Sequence, residues 1–181
     1  MRKNNIITMV ASTIICLLPM IAGAILYSHL PEEMPVHFNL QNVPDVYGPK
    51  WIMLFGIPVI MTLLQLLVCG VFWLVGRHKT AKPPKLATIM LWIVPILTIT
   101  LYFIMIKYTL SSINVGKSVC FVLGIIFAVI GNYFPKMTYA DSKHLMHPRP
   151  KNEKSFRRMT KISGYSFIIF GAVLMILAIF I

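Results

Sequence analysis

The sequence predicts an all-α membrane protein with five transmembrane helices in a single domain, and two observations carry that prediction. The first is composition: 57% of the 181 residues are hydrophobic, only 12% are charged, and the mean hydropathy is +0.78. A water-soluble domain of this size needs a more polar surface. The second is that the apolar residues are gathered in five stretches, each close to the length that crosses the ~30 Å hydrocarbon core of a bilayer.

The first predicted span covers residues 6–27 and follows a basic start at Arg2 and Lys3. A cleaved signal peptide is the alternative, because Ala22-Gly23-Ala24 resembles a cleavage site. Such peptides have an apolar region of about 7 to 15 residues, and this one is longer, so a retained helix is favoured. Pro19 lies inside the span and predicts a kink packed against a neighbouring helix, which satisfies the carbonyl that proline leaves free.

The other spans show the same hydropathy, and short polar segments separate them. Trp51 and Trp73 lie near the two ends of the second span, as interfacial tryptophans do. The fourth span is the shortest, and small residues at four-residue spacing predict a face for close helix packing; they are Cys120, Gly124 and Ala128. The four predicted spans are residues 51–75, 86–106, 118–134 and 162–181.

Residues 29–51 form the longest polar interruption in the first half of the chain and carry three of its five acidic residues. Prolines fix backbone φ angles and remove hydrogen-bond donors, so the four prolines here exclude one continuous helix and predict an ordered cap with turns. Apolar side chains, among them Met34 and Phe38, can anchor such a cap. The loop therefore has the composition of a docking surface rather than of a spacer.

The same loop resembles the N-terminal domain of the SdpI family, bacterial membrane proteins that protect producing cells against a secreted peptide toxin. The resemblance is carried by Leu30-Pro31, Pro35-x-His37-Phe38-Asn39 and Pro44-Asp45-x-x-Gly48-x-Lys50. It implies a toxin-binding or loop-organising role for Pro35, His37, Phe38, Asn39, Asp45, Gly48 and Lys50. An amphipathic toxin would then dock through Met34, Phe38 and Tyr47, and the carboxylates of Glu32, Glu33 and Asp45 would attract its cationic groups.

A second block resembles the C-terminal region of that family. It consists of Gly131-Asn132-Tyr133-x-Pro135-Lys136 and Phe156-Arg157-Arg158-x-Thr160-Lys161-x-x-Gly164. Between these two pieces, residues 144–155 depart from the family pattern. The resemblance therefore covers both ends of the chain and not its middle.

Lysine and arginine residues are distributed unequally between the two sides that alternating spans define. Residues 2–3, the turn 77–85 and the basic loop 136–161 hold 14 of the 17, whereas the loop 29–51 and the predicted brief loop 107–117 hold three. Because cytoplasmic loops carry the excess of basic residues, this bias predicts a cytoplasmic N-terminus, an extracytoplasmic loop 29–51 and an extracytoplasmic C-terminus.

The formal net charge of +12 raises the question of an anionic partner. Nucleic acid is not expected, because the basic residues lie next to the spans with few aromatics among them. Anionic membrane lipid is the predicted partner, since a juxtamembrane charge gains about 1 kcal/mol near an acidic leaflet. An acidic cytoplasmic regulator is the alternative. The densest cluster is Lys151, Lys154, Arg157, Arg158 and Lys161.

The predicted spans contain no Asp, Glu, Lys, Arg or His, which disfavours a proton-coupled transporter. Neither an intramembrane carboxylate pair nor a His-Glu-x-x-His zinc motif is present, so no enzyme and no cofactor are predicted. The cysteines are expected to be buried free thiols; they are Cys16, Cys69 and Cys120.

Two groups of residues have side chains of metal-ligand type, but a simpler role is favoured for each. Glu33, His37 and Asp45 are ligand types that suit zinc, but a hydrogen bond between His37 and Asp45 that holds the loop is favoured. His144 and His147 would share a helical face, yet Pro148 and the surrounding charges favour a solvated loop.

The resemblance predicts a membrane immunity protein that binds a secreted antimicrobial peptide at the outer face of the membrane and does not catalyse a reaction. One alternative is a sensor that relays loop occupancy to a cytoplasmic regulator. Another is a metal-dependent membrane hydrolase that uses the outer histidine and carboxylates.

The charge distribution gives a direct test of topology. A cysteine placed at Gln41 should react with a membrane-impermeant thiol reagent in intact cells, whereas one at Asn152 should not, because the first lies outside and the second in the cytoplasm. The native cysteines are controls and should stay unreactive. Labelling in the reverse pattern would overturn the orientation.

Overall fold

The computed structural model describes residues 3–39, 41–77, 85–139 and 150–180. Helices dominate this part of the chain, and one antiparallel β-hairpin interrupts them. The elements are α1 (Lys3–Leu17), α2 (Pro19–Leu26), β1 (Glu33–Phe38), β2 (Pro44–Pro49), α3 (Ile57–Arg77), α4 (Lys85–Ser111), α5 (Val115–Tyr133) and α6 (Glu153–Phe180).

Five helical segments in the described residues are long and apolar enough to cross a membrane, which confirms the predicted fold class. Many of their large apolar side chains are exposed, as a lipid-facing surface requires. The five segments are Asn5–His29, Ile52–Leu74, Thr88–Ser111, Val115–Lys136 and Glu153–Phe180.

Two helix boundaries differ from the sequence prediction. The predicted loop 107–117 is mostly helical, because α4 continues to Ser111 and α5 begins at Val115. Only three residues lie between them, where Ser112 has a φ of 46° and the Asn114 side chain caps α5 by accepting a hydrogen bond from Lys117 N at 2.8 Å.

The predicted basic loop 136–161 is also shorter than expected, because α6 begins at Glu153. Asn152 Oδ1 accepts a hydrogen bond from Ser155 N at 2.8 Å, which caps this helix. The basic residues that follow therefore lie on the first turns of α6 and not in a loop.

Prolines interrupt three of the spans, and each leaves one carbonyl without its helical donor. The chain breaks between α1 and α2 at Leu18, directly before Pro19, which confirms the predicted kink. The Ile15 carbonyl that Pro19 frees accepts from Leu18 N of the same span at 3.3 Å, whereas a donor from a neighbouring helix was predicted. Around Pro58 the helix opens into one π-helical turn, Ile52–Gly56, and the freed carbonyl of Leu54 lies 3.4 Å from the donating hydroxyl of Tyr102 on α4.

Pro95 lies inside α4, and the carbonyl it frees belongs to Leu91. Gln65 of α3 is fully buried, and its Nε2 donates to Leu91 O at 3.0 Å and to Ser12 Oγ of α1 at 2.8 Å. One amide group thus joins α1, α3 and α4 in the interior of the bundle. Among the cysteines, Cys16 and Cys69 are buried free thiols as predicted, and Cys120 is free and half-buried.

Helices α5 and α6 pack against each other along a glycine seam, defined by Gly124 and Gly131 on α5 and Gly164 and Gly171 on α6. A Cβ built on Gly131 would lie 2.6 Å from Gly164 O, and one on Gly124 would lie 2.7 Å from Gly171 O. The backbones approach so closely that no side chain fits between them. Gly124 and Ala128 belong to the predicted packing face, and Ala128 N lies 2.9 Å from a Cβ built on Gly171.

The contact between Gln65 and Leu91 can be tested through Pro95. Replacing Gln65 by Leu should lower the free energy of unfolding by about 1 kcal/mol, the order of an interhelical hydrogen bond in a membrane protein. In a Pro95→Ala background the loss should be smaller, because residue 95 then donates its own N–H to Leu91 O. Unfolding in a denaturing detergent, run as a double-mutant cycle, measures both values.

The control variant is Thr100→Val on the same helix, since its exposed hydroxyl donates to Ile96 O of the same helix at 2.7 Å. It should leave the unfolding free energy within about 0.5 kcal/mol of the parent. An equal loss from Gln65→Leu in both backgrounds would show that Gln65 does not serve the proline-freed carbonyl.

Candidate binding site at the hairpin cap

The hairpin cap, residues 29–51, covers one end of the bundle, and Lys50 fixes its base. The Lys50 ammonium is buried, and Nζ donates to Tyr27 O at 3.1 Å, Leu30 O at 3.3 Å and Glu32 Oε1 at 3.0 Å. It also lies 4.3 Å from the centroid of the Tyr27 ring. Carbonyls at the end of a helix lack helical donors and carry partial negative charge, so a cation there is stabilised.

Strands β1 and β2 pair in an irregular register, and four of the predicted site residues lie in it. Glu33 lies opposite Pro49, Pro35 opposite Tyr47, and the pairing shifts on both sides of His37. Gly48 keeps the strands close, because a Cβ there would lie 3.0 Å from Val36 Cγ1. Residues Glu33 and His37 are exposed, whereas Pro35 is buried.

His37 and Asp45 form the hydrogen-bonding pair that the sequence predicts. Their Nδ1 and Oδ1 atoms are 2.6 Å apart across the two strands. Both side chains are exposed, 65% and 43% respectively, so the contact links the strands at a surface open to a ligand. A pair this exposed contributes modestly to stability and mainly fixes where the two groups stand.

Asn39 organises the turn between the strands. Its Oδ1 accepts hydrogen bonds from Gln41 N at 3.0 Å and Val43 N at 2.9 Å, and its own N–H donates to Val43 O at 2.9 Å. Asn42, in the same turn, has a φ of 61°, a conformation that asparagine adopts more readily than most residues.

Two contacts hold the tip of the hairpin cap on the bundle, and sequence reasoning missed both partners. Asn42 Oδ1 accepts from Gly116 N in the first turn of α5 at 2.7 Å. Phe38 packs edge-on against Tyr108 of α4 with centroids 4.8 Å apart. The turn pattern marks Asn42 as a residue suited to positive φ, but nothing local points to Gly116, 74 residues away.

The structure corrects one assignment of the docking surface. Met34 is only 1% exposed and belongs to the apolar core under the hairpin, so a ligand cannot dock on its outer face. Phe38 is half-buried against Tyr108, whereas Tyr47 is 55% exposed. Met34 on β1 faces the helices beneath the hairpin, and this was not predicted because the hairpin itself was not.

A cavity of 270 Å³ lies between the hairpin cap and the helices beneath it, partly open to the surface. The hairpin contributes Met34, Val36, His37 and Phe38 to its wall. Its other walls are mostly apolar side chains from the π-helical turn, the start of α3, the second half of α4 and the first turns of α5, including Met53, Met105 and Val119.

The C-terminal family-like block lies elsewhere and does not meet the hairpin cap. Gly131 and Gly116 are 15 positions apart on α5, roughly 22 Å along the helix axis. At that far end Gly131 contacts Gly164, and a Cβ on Gly164 would also lie 2.8 Å from Pro135 Cδ. This part of the block therefore serves helix packing.

The polar members of that block are at the surface. Asn132 and Arg158 are exposed, and Lys136 Nζ lies 4.4 Å from the centroid of the Tyr133 ring. Arg157 pairs with Glu153 one turn earlier on α6, with Nη2 and Oε1 2.7 Å apart. Such an exposed pair is of small energetic value.

The structure tests one of the two candidate metal-ligand groups that the sequence suggests. Within residues 3–39, 41–77, 85–139 and 150–180, no group of three or more His, Cys, Asp and Glu side chains is placed to hold a metal ion. Glu33 therefore does not join His37 and Asp45. His144 and His147 lie outside the described residues.

A family model described as a domain of unknown function, DUF1648, matches residues 14–62. That segment begins in α1, contains the whole hairpin cap and ends in α3. Over 185 aligned positions the chain is 26% identical to the immunity protein SdpI of Bacillus subtilis (strain 168), with 98% of this chain and 83% of that protein covered. No solved structure matches the chain.

The anchor at Lys50 predicts a local effect on the hairpin cap. Lys50→Met removes three donor contacts and should raise amide hydrogen exchange in β1 and β2 at least tenfold, because the cap loses its bond to the end of the first span. Exchange of the purified protein followed by mass spectrometry measures this change.

Two further variants separate the contribution of the Glu32 ion pair from that of the carbonyl contacts and control for the loss of a lysine. Glu32→Gln should have little effect, because the Glu32 side chain is 87% exposed and the carbonyls of Tyr27 and Leu30 remain as acceptors. Lys117→Met, at an exposed lysine of the same end, is the matched control. Unchanged exchange in Lys50→Met would contradict the anchoring role.

Proposed function

We propose that this chain, for which the two similarities support an assignment to the SdpI family, binds a secreted antimicrobial peptide at its hairpin cap and thereby protects the cell. Similarity to an immunity protein supports a role as a multi-pass membrane immunity protein rather than as an enzyme. The hairpin cap as binding site is the proposal made here.

The observation that carries this proposal is the ordered, anionic surface of the hairpin cap. Three of the five acidic residues of a chain with net charge +12 lie there. The one lysine of the cap, Lys50, is buried and bonded to Glu32, so Glu33 and Asp45 face the surface without a lysine beside them in the cap. Peptides that attack bacterial membranes through their cationic groups match this surface in sign.

Apolar groups accompany these carboxylates, as an amphipathic ligand requires. Tyr47 is 55% exposed and Val46 is 49% exposed on β2, next to Asp45. Because Lys50, Asn39 and Asn42 fix the backbone, these side chains are presented without first ordering a loop. Preorganisation of this kind lowers the entropy cost of binding.

The proposed orientation puts this surface where a secreted peptide arrives. The hairpin cap and the short connection between α4 and α5 share one end of the bundle, joined by the bond between Asn42 and Gly116. That end carries three of the 17 basic residues, so the charge rule assigns it to the extracytoplasmic side.

A second role, relay to a cytoplasmic regulator, is supported by the first turns of α6. Lys154, Arg158 and Lys161 are exposed there, and they form a basic surface at the end opposite the hairpin cap. We propose anionic lipid headgroups as the standing partner of these charges and an acidic regulator as the alternative.

The proposal predicts that loss of the pair His37 and Asp45 impairs protection. Alanine at either position removes a charge-assisted hydrogen bond that fixes the binding surface, so survival of cells exposed to the toxin should fall while abundance in the membrane stays normal. His37→Gln should retain part of the activity, because an amide also donates and accepts hydrogen bonds. Killing assays on cells that express each variant give the result.

Gln41→Ala is the matched control, since Gln41 is an exposed residue of the same turn that takes part through its backbone N–H. Full protection by the His37→Ala, Asp45→Ala double variant at normal abundance would contradict the proposal that the hairpin cap is the binding site. If a chelator abolishes protection, a metal-dependent hydrolase is favoured instead. In that case His37→Gln should be as inactive as His37→Ala, because both variants have lost a metal ligand.

A further inference from the structure

The cavity beneath the hairpin cap has no role in the arrangement described so far. Its volume of 270 Å³ is nearly twice that of an engineered apolar cavity of about 150 Å³ that admits a benzene ring. It therefore accepts one large apolar side chain with room to spare.

Methionine is prominent in its wall. Met34 comes from β1, Met53 from the π-helical turn and Met105 from α4, so each of three elements supplies one flexible thioether. Methionine side chains rearrange at low cost and contact aromatic rings favourably, which is why they occur at surfaces that bind varied apolar peptides.

The hairpin side of the opening carries negative charge. His37 lines the cavity, and its Nδ1 holds the Asp45 carboxylate at 2.6 Å. Lys107 and Lys117 are exposed at the same end of the bundle and do not line the cavity.

A phospholipid fits this site less well than a peptide does. A lipid phosphate would seek the free amides at the start of α5, but Gly116 N already donates to Asn42 Oδ1 at 2.7 Å and Lys117 N to Asn114 Oδ1 at 2.8 Å. The cavity also lies under the hairpin, whose carboxylates repel a phosphate.

We propose that this cavity receives one large apolar side chain, aromatic or branched, of the bound peptide, while a neighbouring cationic residue of that peptide pairs with Asp45. The inference rests on the proposed function and names the chemistry of its ligand. The hairpin surface and the cavity then act together, the first through charge and the second through apolar burial.

Filling the cavity tests this without touching the hairpin surface. Val119→Phe fills it from α5 and Ile57→Phe from α3, and both residues line the cavity. Val129→Phe makes the same change on a lipid-facing side of α5 and is the matched control. Two filling variants from different helices are used so that misfolding of one does not decide the result.

The probe is the capped tripeptide N-acetyl-Lys-(4-fluoro-Phe)-Lys-amide, observed by fluorine NMR with the full chain in phosphatidylcholine nanodiscs. Saturable binding is expected for the parent and for Val129→Phe, and at least tenfold weaker binding for Val119→Phe and Ile57→Phe. The analogue with alanine in place of the fluorinated residue should not compete. Absent binding to the parent, or equal binding by the filled variants, would overturn the inference.

Killing assays separate this inference from the proposed function. If the filled variants protect fully while the His37 and Asp45 variants do not, the hairpin site stands and the cavity inference falls. If the parent itself gives no protection, the proposed function falls. Phospholipid that copurifies with the parent and is lost from both filled variants would assign the cavity to lipid and also overturn the inference.

Discussion

The arrangement of the helices depends on carbonyl groups that prolines have left without a helical donor. In hydrocarbon no water replaces that donor, so a neighbouring helix must supply one. Tyr102 lies within reach of Leu54 O before Pro58, and Gln65 serves Leu91 O before Pro95. Pro58 and Pro95 therefore each specify a neighbour, and together they require α3 and α4 to pack side by side. Leu54 and Tyr102 also belong to the apolar core on which the hairpin cap rests.

The hairpin cap follows the same rule at the membrane surface. The first span ends in carbonyls that need donors, and Lys50 supplies them from the end of β2. Helix α5 begins with amides that need acceptors, and Asn42 supplies one from the turn. A two-stranded sheet alone is marginally stable in water. Here both of its ends are joined to helix termini, which explains how a short, proline-rich hairpin presents a fixed surface.

Composition predicted the fold class because five apolar stretches leave few alternatives, and the family-like spacing predicted the pair His37 and Asp45. The hairpin was not predicted, since prolines at Pro35, Pro44 and Pro49 hide the strand pattern, although edge strands tolerate them. Lysines at 107 and 117 were assigned to a loop, yet charged side chains near helix ends extend into water while the backbone stays helical. Contacts distant in sequence, such as Asn42 with Gly116, leave no local signal.

The glycine seam between α5 and α6 also determines how deep α6 lies in the bilayer. The helix has 28 residues, roughly 42 Å, which exceeds the hydrocarbon thickness of about 30 Å. Because residues 153–161 are mostly polar, only the remaining 19 residues, 162–180, cross the hydrocarbon, and small shifts or tilts against lipid cost little. Gly164 and Gly171 prevent sliding, because a shift along the axis would put a side chain against the backbone of α5. The height of the basic turns of α6 above the lipid headgroups is therefore set from inside the protein, by four residues without side chains.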